Sequence, residues 1–178
     1  MATDGAIVGP VPPGQDPDEY DRRRRRILWS LPSGLYVLGS RAGGRRNLMT
    51  LNLATQVATE PKLLAVSVEE SAVTHQLIRD GQVFTLNVLA RADRAAVRRF
   101  VKPLEDGGDP ADLAGFAVHE AATGAPVLDI AVAWLDCRVH QEVPCGSHTL
   151  FLGEVVDCGG PGADEVLRME DTRMNYGG

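Results

Sequence analysis

Asn47-Leu-Met-Thr-Leu-Asn-Leu-Ala-Thr-Gln-Val-Ala-Thr-Glu-Pro61 is the stretch on which the reading of the fold turns. It sets amides and hydroxyls (Asn47, Thr50, Asn52, Thr55, Gln56, Thr59) among apolar residues, with no charge before Glu60. A half-buried strand alternates apolar with solvated side chains and rarely needs so many neutral hydrogen-bonding groups. The segment therefore reads as a strand over residues 48–57 that is suited to a flat, polar ligand. Thr is also common in strands simply because it is β-branched, so a structural role stays open at this point.

Further apolar runs lie at 35–40, 63–68, 83–89, 130–139 and 150–156. Many are separated by only a few residues, which favours antiparallel pairing, since a parallel crossover takes a dozen or more. A helix is expected after residue 15, with Asp16, Asp18, Glu19 and Asp21 at its start, stopping near Pro32-Ser33-Gly34. A second helix starts with Ser71 as N-cap and runs through Thr74, His75, Leu77 and Ile78 to Gly81, and a third covers 91–101. Residues 104–115 are acidic and contain Gly and Pro, so they read as an exposed loop. Residues 1–15, with Gly9-Pro10-Val11-Pro12-Pro13-Gly14, read as a flexible arm. The expected fold class is mainly β (α+β): a closed or partly closed barrel that leaves no long edge unpaired, with a few peripheral helices.

The chain has 178 residues, is 44% hydrophobic and carries a net charge of −6. That charge argues against a general nucleic-acid binder, which needs clustered positive charge. The arginine run at 22–26 is the local exception, and its acidic neighbours make it the solvated face of a helix. No apolar run reaches the ~20 residues of a membrane helix, and the N-terminus lacks the pattern of a secretion signal, so no membrane partner and a cytoplasmic location are expected. Cys137, Cys145 and Cys158 form no C-x-x-C pair; Cys137 and Cys158, in apolar runs, read as core filler. The four histidines lack metal-ligand spacing, so no metal site is expected. Gly39-Ser-Arg-Ala-Gly-Gly44 lacks dinucleotide-fingerprint spacing and reads as a hairpin turn; Arg41, Arg45 and Arg46 suit either recognition of a 2′-phosphate or, the favoured reading, solvated hairpin charges.

Several pieces, in order, carry a family likeness: Gly34-Leu-Tyr-Val-Leu, Asn47-Leu-Met-Thr50, Gln56-Val57 to Pro61, Thr74-His75-Gln-Leu-Ile78, Phe84-Thr-Leu-Asn87-Val-Leu, Cys137-Arg-Val and Gly146-Ser-His148-Thr-Leu-Phe-Leu-Gly153-Glu-Val155. Over about residues 31–158 the chain resembles the flavin reductase-like family of FMN-binding split β-barrels. Its close, Glu170-Asp-Thr-Arg-Met-Asn-Tyr176-Gly-Gly178, resembles the tail of a flavoredoxin-like branch, which implies a natural C-terminus here. The likeness implies a domain at 16–160, a tail at 161–178 near the flavin or dimer interface, and a homodimer holding one flavin per barrel. FMN is the expected flavin, with FAD as the alternative, and NADH or NADPH the expected hydride donor.

The resemblance also implies roles. Asn47, Leu48, Met49 and Thr50 match the segment along the isoalloxazine ring; Asn52, Gln56, Val57 and Ala58 match the return segment at its polar edge and the ribityl chain. Ser71, Thr74 and His75 match the phosphate end, where a helix N-terminus offers free N–H groups and partial positive charge to an anion. Phe100 and Lys102 match groups near the phosphate or the flavin face. His148 matches a residue facing the nicotinamide site and is the candidate catalytic residue; Asn87 is either a satisfied core residue or a support for the ligand. Trp29, Phe100 and Tyr176 are lid candidates. Three functions follow: an NAD(P)H-dependent flavin reductase, as the reductase partner of a two-component monooxygenase; a tight-FMN protein passing electrons to a protein or to ferric iron; and a non-enzymatic flavin-binding split barrel.

Overall fold

The computed structural model describes residues 9–163 and 165–174. The chain divides into two compact units, Met1–Pro32 with Arg173–Gly178, and Ser33–Thr172. The first contains helix α1 (Pro17–Leu28), which no described helix exceeds in length and which is too polar to cross a membrane. Asp16 caps it, accepting from the Glu19 N–H at 2.9 Å, with Pro17 opening the first turn. Asp18 and Glu19 then face the positive end and Arg25 and Arg26 the negative end. No α1 residue is buried, and Asp21 pairs with both Arg24 and Arg25, so the arginine run lies on an unburied helix. The helix ends at Leu28, earlier than the Pro32 stop, where a turn through Ser30 and Leu31 closes on the carbonyls of Ile27 and Leu28. Residues 1–8 of the expected arm, and Tyr176, lie outside the described residues.

The second unit holds ten strands: β1 (Tyr36–Ala42), β2 (Arg45–Leu51), β3 (Ala54–Thr59), β4 (Lys62–Glu69), β5 (Val83–Val88), β6 (Asp112–Leu113), β7 (Phe116–Glu120), β8 (Pro126–Leu128), β9 (Ala133–Cys145) and β10 (His148–Gly159). Helix α2 (Val73–Gly81) stands between β4 and β5. Seven strands form one antiparallel sheet in the order β2-β1-β5-β9-β10-β4-β3, and β6-β7-β8 form a second. The decisive stretch is thus two strands, broken at Asn52 and Leu53, where a single strand over 48–57 was expected.

That break shapes the sheet. Laid flat, strands at opposite edges of a seven-stranded sheet would stand about 29 Å apart at ~4.8 Å per step. Yet β2 and β3, at those edges, are joined by two residues, which span at most about 11 Å. The sheet must curl round until its edges approach at the β2–β3 corner, leaving a barrel-like form. Helix α2 accordingly packs on β1 and β2 and also on β4, from opposite ends of the strand order.

Inside, Phe84 and Phe151 meet Leu38, Leu51, Leu64, Val66, Val68, Leu86 and Cys137, with Ile78 entering from α2. Full burial of each such phenylalanine contributes roughly 1.5–3 kcal/mol. Two close approaches require glycine: a Cβ at Gly153 would stand 2.4 Å from the Phe84 ring, and one at Gly81 would strike the Arg41 carbonyl. Asn87 proves a satisfied core residue, donating to the Val37 carbonyl and Thr85 Oγ1 and accepting from the Leu128 N–H. Gly43-Gly44 closes the β1–β2 hairpin, as the turn reading requires.

Other expectations are corrected. Residues 91–101 form two 3-10 turns, Arg91–Asp93 and Ala96–Phe100, instead of a helix. Their buried members, Val97 and Phe100, are three apart and so share a face of a three-residue turn. The strands β6 and β8 escape the sequence pattern because two or three residues cannot display a period, and the five residues of β7 show it only weakly. Residues 104–115 are not simply an exposed loop, since β6 ends there and Asp106 is largely buried against Arg46. Cys158 is exposed because β10 turns its odd-numbered residues inward, whereas Cys137 is buried and its thiol is pushed up to about 12 by desolvation. Residues 165–172 of the tail run along the barrel unit, with bridges from Arg168 to Gly34 and from Val166 to Ala90 and with Leu167 fully buried.

Candidate functional site

The candidate residues divide into two sets with distinct roles. The first set is buried and already hydrogen-bonded. Asn47, 4% exposed, donates from Nδ2 to Thr74 Oγ1 at 2.8 Å and accepts at Oδ1 from the Leu104 N–H at 3.0 Å. Thr50 donates to the Val97 carbonyl at 2.5 Å. His75 Nε2 lies 2.8 Å from Thr149 Oγ1, and its ring meets Phe151 edge-on at 5.3 Å. Burial, with Arg79 nearby, lowers the His75 pKa and favours the neutral ring. Leu48 is fully buried, Met49 packs half-buried against the core, and Phe100 is sealed against Phe116 with ring centroids 4.7 Å apart. The side chains of this set are committed inside the protein, so they serve as framing for the accessible residues.

The second set is accessible. Asn52 at the corner and Ala58 in β3 are half-buried, while Gln56 is exposed. Val57, 50% exposed, is the extra residue of a bulge between Gln56 and Ala58. Bulges re-aim side chains and interrupt pairing, and they recur beside binding sites. Because β3 is an edge strand, no described strand pairs with its outer side, and its backbone groups there face outward.

Helix α2 supplies the other end. Its N-cap is Ala72, not the expected Ser71, and no side chain caps it. The chain turns into the helix one residue late because the Ala72 N–H is held by the Glu69 carbonyl. Ser71 is therefore left exposed just before an uncapped first turn. Four N–H groups at any helix start lack intrahelical partners, and an anion is one means of satisfying them. His148 sits nearby, at the tip of the β9–β10 hairpin opposite Glu69, with Nδ1 2.9 Å from Ser147 Oγ. The Glu70 N–H donates to the Ser147 carbonyl, tying that tip to the segment that enters α2.

Lys102 is exposed, two residues before Leu104. Arg46 is no solvated hairpin charge, its side chain being 7% exposed. Its guanidinium grips both Asp106 oxygens, at 3.0 and 2.8 Å, and also donates to the carbonyls of Asp109, Pro110 and Asp112. That hydrogen-bonded pairing holds the Asp106 carboxyl below its usual range. The only available sign was opposite charge, a basic 45–46 and an acidic 105–112, which does not say that they meet. Arg41 is likewise engaged, with Glu120 and the Gly124 carbonyl, whereas Arg45 is exposed. Of the lid candidates, Phe100 is core and Trp29 belongs to the other unit.

The site thus offers neutral hydrogen-bonding groups along an open edge and an uncapped helix start at its end. These features fit an elongated planar ligand with a terminal phosphate. Residues 28–177 match the flavin reductase like domain. The NADH-dependent FAD reductase of Streptomyces globisporus is 34% identical over 148 residues, covering 82% of this chain and 80% of that protein. The high molecular weight rubredoxin of Moorella thermoacetica is 31% identical over 134 residues, of which this chain spans only 58% of the length. Among solved structures, the NADH:FAD oxidoreductase SgcE6 of Streptomyces globisporus C-1027, in complex with NAD and FAD fragments, superposes with a TM-score of 0.68 at 32% identity, covering 82% of this chain and 84% of that one. BorF, the flavin reductase component of a bacterial two-component tryptophan halogenase, gives 0.72 at 25% identity over 83% and 91%. This chain belongs to the flavin reductase-like family.

Proposed function

We infer that this protein is an NAD(P)H-dependent flavin reductase that supplies reduced flavin to a partner oxygenase or halogenase. The observation that carries this reading is the 34% identity to an NADH-dependent FAD reductase across most of both chains. The same likeness favours NADH as donor and brings FAD level with FMN as the flavin. A cytoplasmic homodimer belongs to the same reading.

Bound flavin would supply the two-electron acceptor for the hydride of a reduced nicotinamide. The chain's own contribution is binding and orientation, since productive transfer needs reacting atoms about 3–3.5 Å apart. Asn52, Gln56 and the bulged backbone at Val57 and Ala58 would pair with the polar edge of the ring. Ser71 and the open first turn of α2 would hold the phosphate, with Lys102 as the nearby cation. His148, exposed enough to meet a second ligand, would orient the nicotinamide. Asn47, Leu48, Met49, Thr50, Thr74, His75 and Phe100 hold these groups in place from behind.

The test is oxidation of NADH and of NADPH by the purified protein, with FMN, FAD or riboflavin supplied. Turnover that depends on added flavin supports the reductase; no oxidation with any flavin removes it. A second reading has the 31% likeness to the Moorella rubredoxin in its favour: a tightly held flavin that hands electrons to another protein. Yellow colour that survives desalting would favour that carrier.

A further inference from the structure

We propose that Arg46 is a positioning residue for the phosphate end of the flavin: it clamps residues 104–112 to β2, so that the exposed span 101–103, carrying Lys102, stands beside the first turn of α2. The proposal rests on the flavin-reductase reading and on α2 as its phosphate end.

The argument begins with three anchors along one strand. Thr50 holds the Val97 carbonyl, Asn47 holds the Leu104 N–H, and Arg46 holds Asp106 together with three further carbonyls. These anchors run in order along β2, so the segment 97–112 is laid antiparallel against it without forming a strand. Between the Val97 and Leu104 anchors, and after the buried Phe100, residues 101–103 are exposed. Asn47 also joins this segment to α2, since Leu104 and Thr74 occupy the two ends of a single carboxamide. Lys102 is two residues from Leu104, hence within about 7.6 Å backbone to backbone. Its amine therefore swings within reach of an anion on the α2 first turn only while Leu104 stays anchored.

Arg46 keeps it anchored. Residues 105–112 contain four acids and two glycines, a composition that would not hold one conformation unaided. The planar fork binds the Asp106 carboxylate in two places and still has donors for three carbonyls, which a lysine amine cannot match. Burial makes the arrangement demanding: without the fork, a largely buried carboxylate would keep only the Gly108 N–H.

The experiment compares wild-type protein with Arg46→Ala, Arg46→Lys and Asp106→Asn, measuring dissociation constants for FMN, FAD and riboflavin by flavin fluorescence. Riboflavin has no phosphate and serves as the internal reference. In Arg46→Ala and Asp106→Asn, FMN and FAD are expected to weaken about ten-fold, the worth of one charge-assisted bond, with riboflavin unchanged. Arg46→Lys should fall between, and turnover at saturating flavin should stay near wild type. If Arg46→Ala does not fold, as judged by its thermal melt, the other two variants carry the comparison. Unaltered FMN affinity in the folded variants, or equal losses for all three flavins, would overturn the proposal. A wild-type protein that prefers FMN to riboflavin by less than two-fold would overturn it while leaving the reductase standing. A protein that binds none of the three flavins would overturn the reductase reading as well.

Discussion

Asn47→Ala separates a framing role from a ligand role at the centre of the site. Asn47 makes two hydrogen bonds, to Thr74 Oγ1 and from the Leu104 N–H, and is 4% exposed. Each bond contributes about 1 kcal/mol net, and a buried group left without a partner costs about 1–3 kcal/mol more. Leu104 is only partly buried, so water can relieve part of that cost, and the sum is about 2–4 kcal/mol. For a chain of this size each kcal/mol moves the melting temperature by about 2–4 °C, giving an expected fall of about 5–15 °C. The assay is a melt followed by circular dichroism, without flavin, alongside a flavin titration below the transition. Flavin affinity should weaken together with stability, because the variant loosens both α2 and the loop at Leu104. A melting point lowered by less than about 2 °C, with flavin binding abolished, would refute the framing role and make the amide a direct ligand.

Three further outcomes are expected. His148→Ala should slow flavin reduction in anaerobic single turnovers while sparing flavin affinity; an unchanged rate would make His148 structural. The Asp106 carboxyl has a folded pKa depressed by Arg46, so its stabilisation is full above the unfolded value of about 3.9 and is lost as pH falls through the folded value. Urea midpoints against pH should therefore drop on the acid side less steeply for Asp106→Asn than for wild type, and identical slopes would discount the clamp. A thiol reagent should modify Cys145 and Cys158 in the folded protein and reach Cys137 only on unfolding, since that thiol is buried and pushed up to about 12; three fast thiols would contradict the burial.

Much of the architecture was legible in the residues. The apolar runs at 35–40, 63–68 and 83–89 became β1, β4 and β5 within a residue or two, because a short continuous apolar run suits a strand buried on both faces. Gly43-Gly44 announced its hairpin, since such turns need a positive φ that glycine adopts freely. The break at Asn52-Leu53 was illegible, because alternation continues through it and only the change of sheet edge marks it.

The amino-acid order by itself determined the alternation, the turns, the neutral polar character of residues 47–59 and the family. Those are local properties, or sums of local properties, and need no knowledge of what lies opposite. Only the tertiary structure decided which polar groups remain for a ligand. Asn47 and Gln56 look alike in the sequence, yet one is spent on Thr74 and Leu104, 27 and 57 residues away, while the other stands exposed on an open edge with only the nearby Ala58 carbonyl as its acceptor. Arg46 looked like a hairpin charge until the segment held by Thr50 and Asn47 brought the acid of residue 106 to it. The physical reason is the same in each case: a hydrogen bond or ion pair depends on a partner's position in space, and separation along the chain carries almost no information about that.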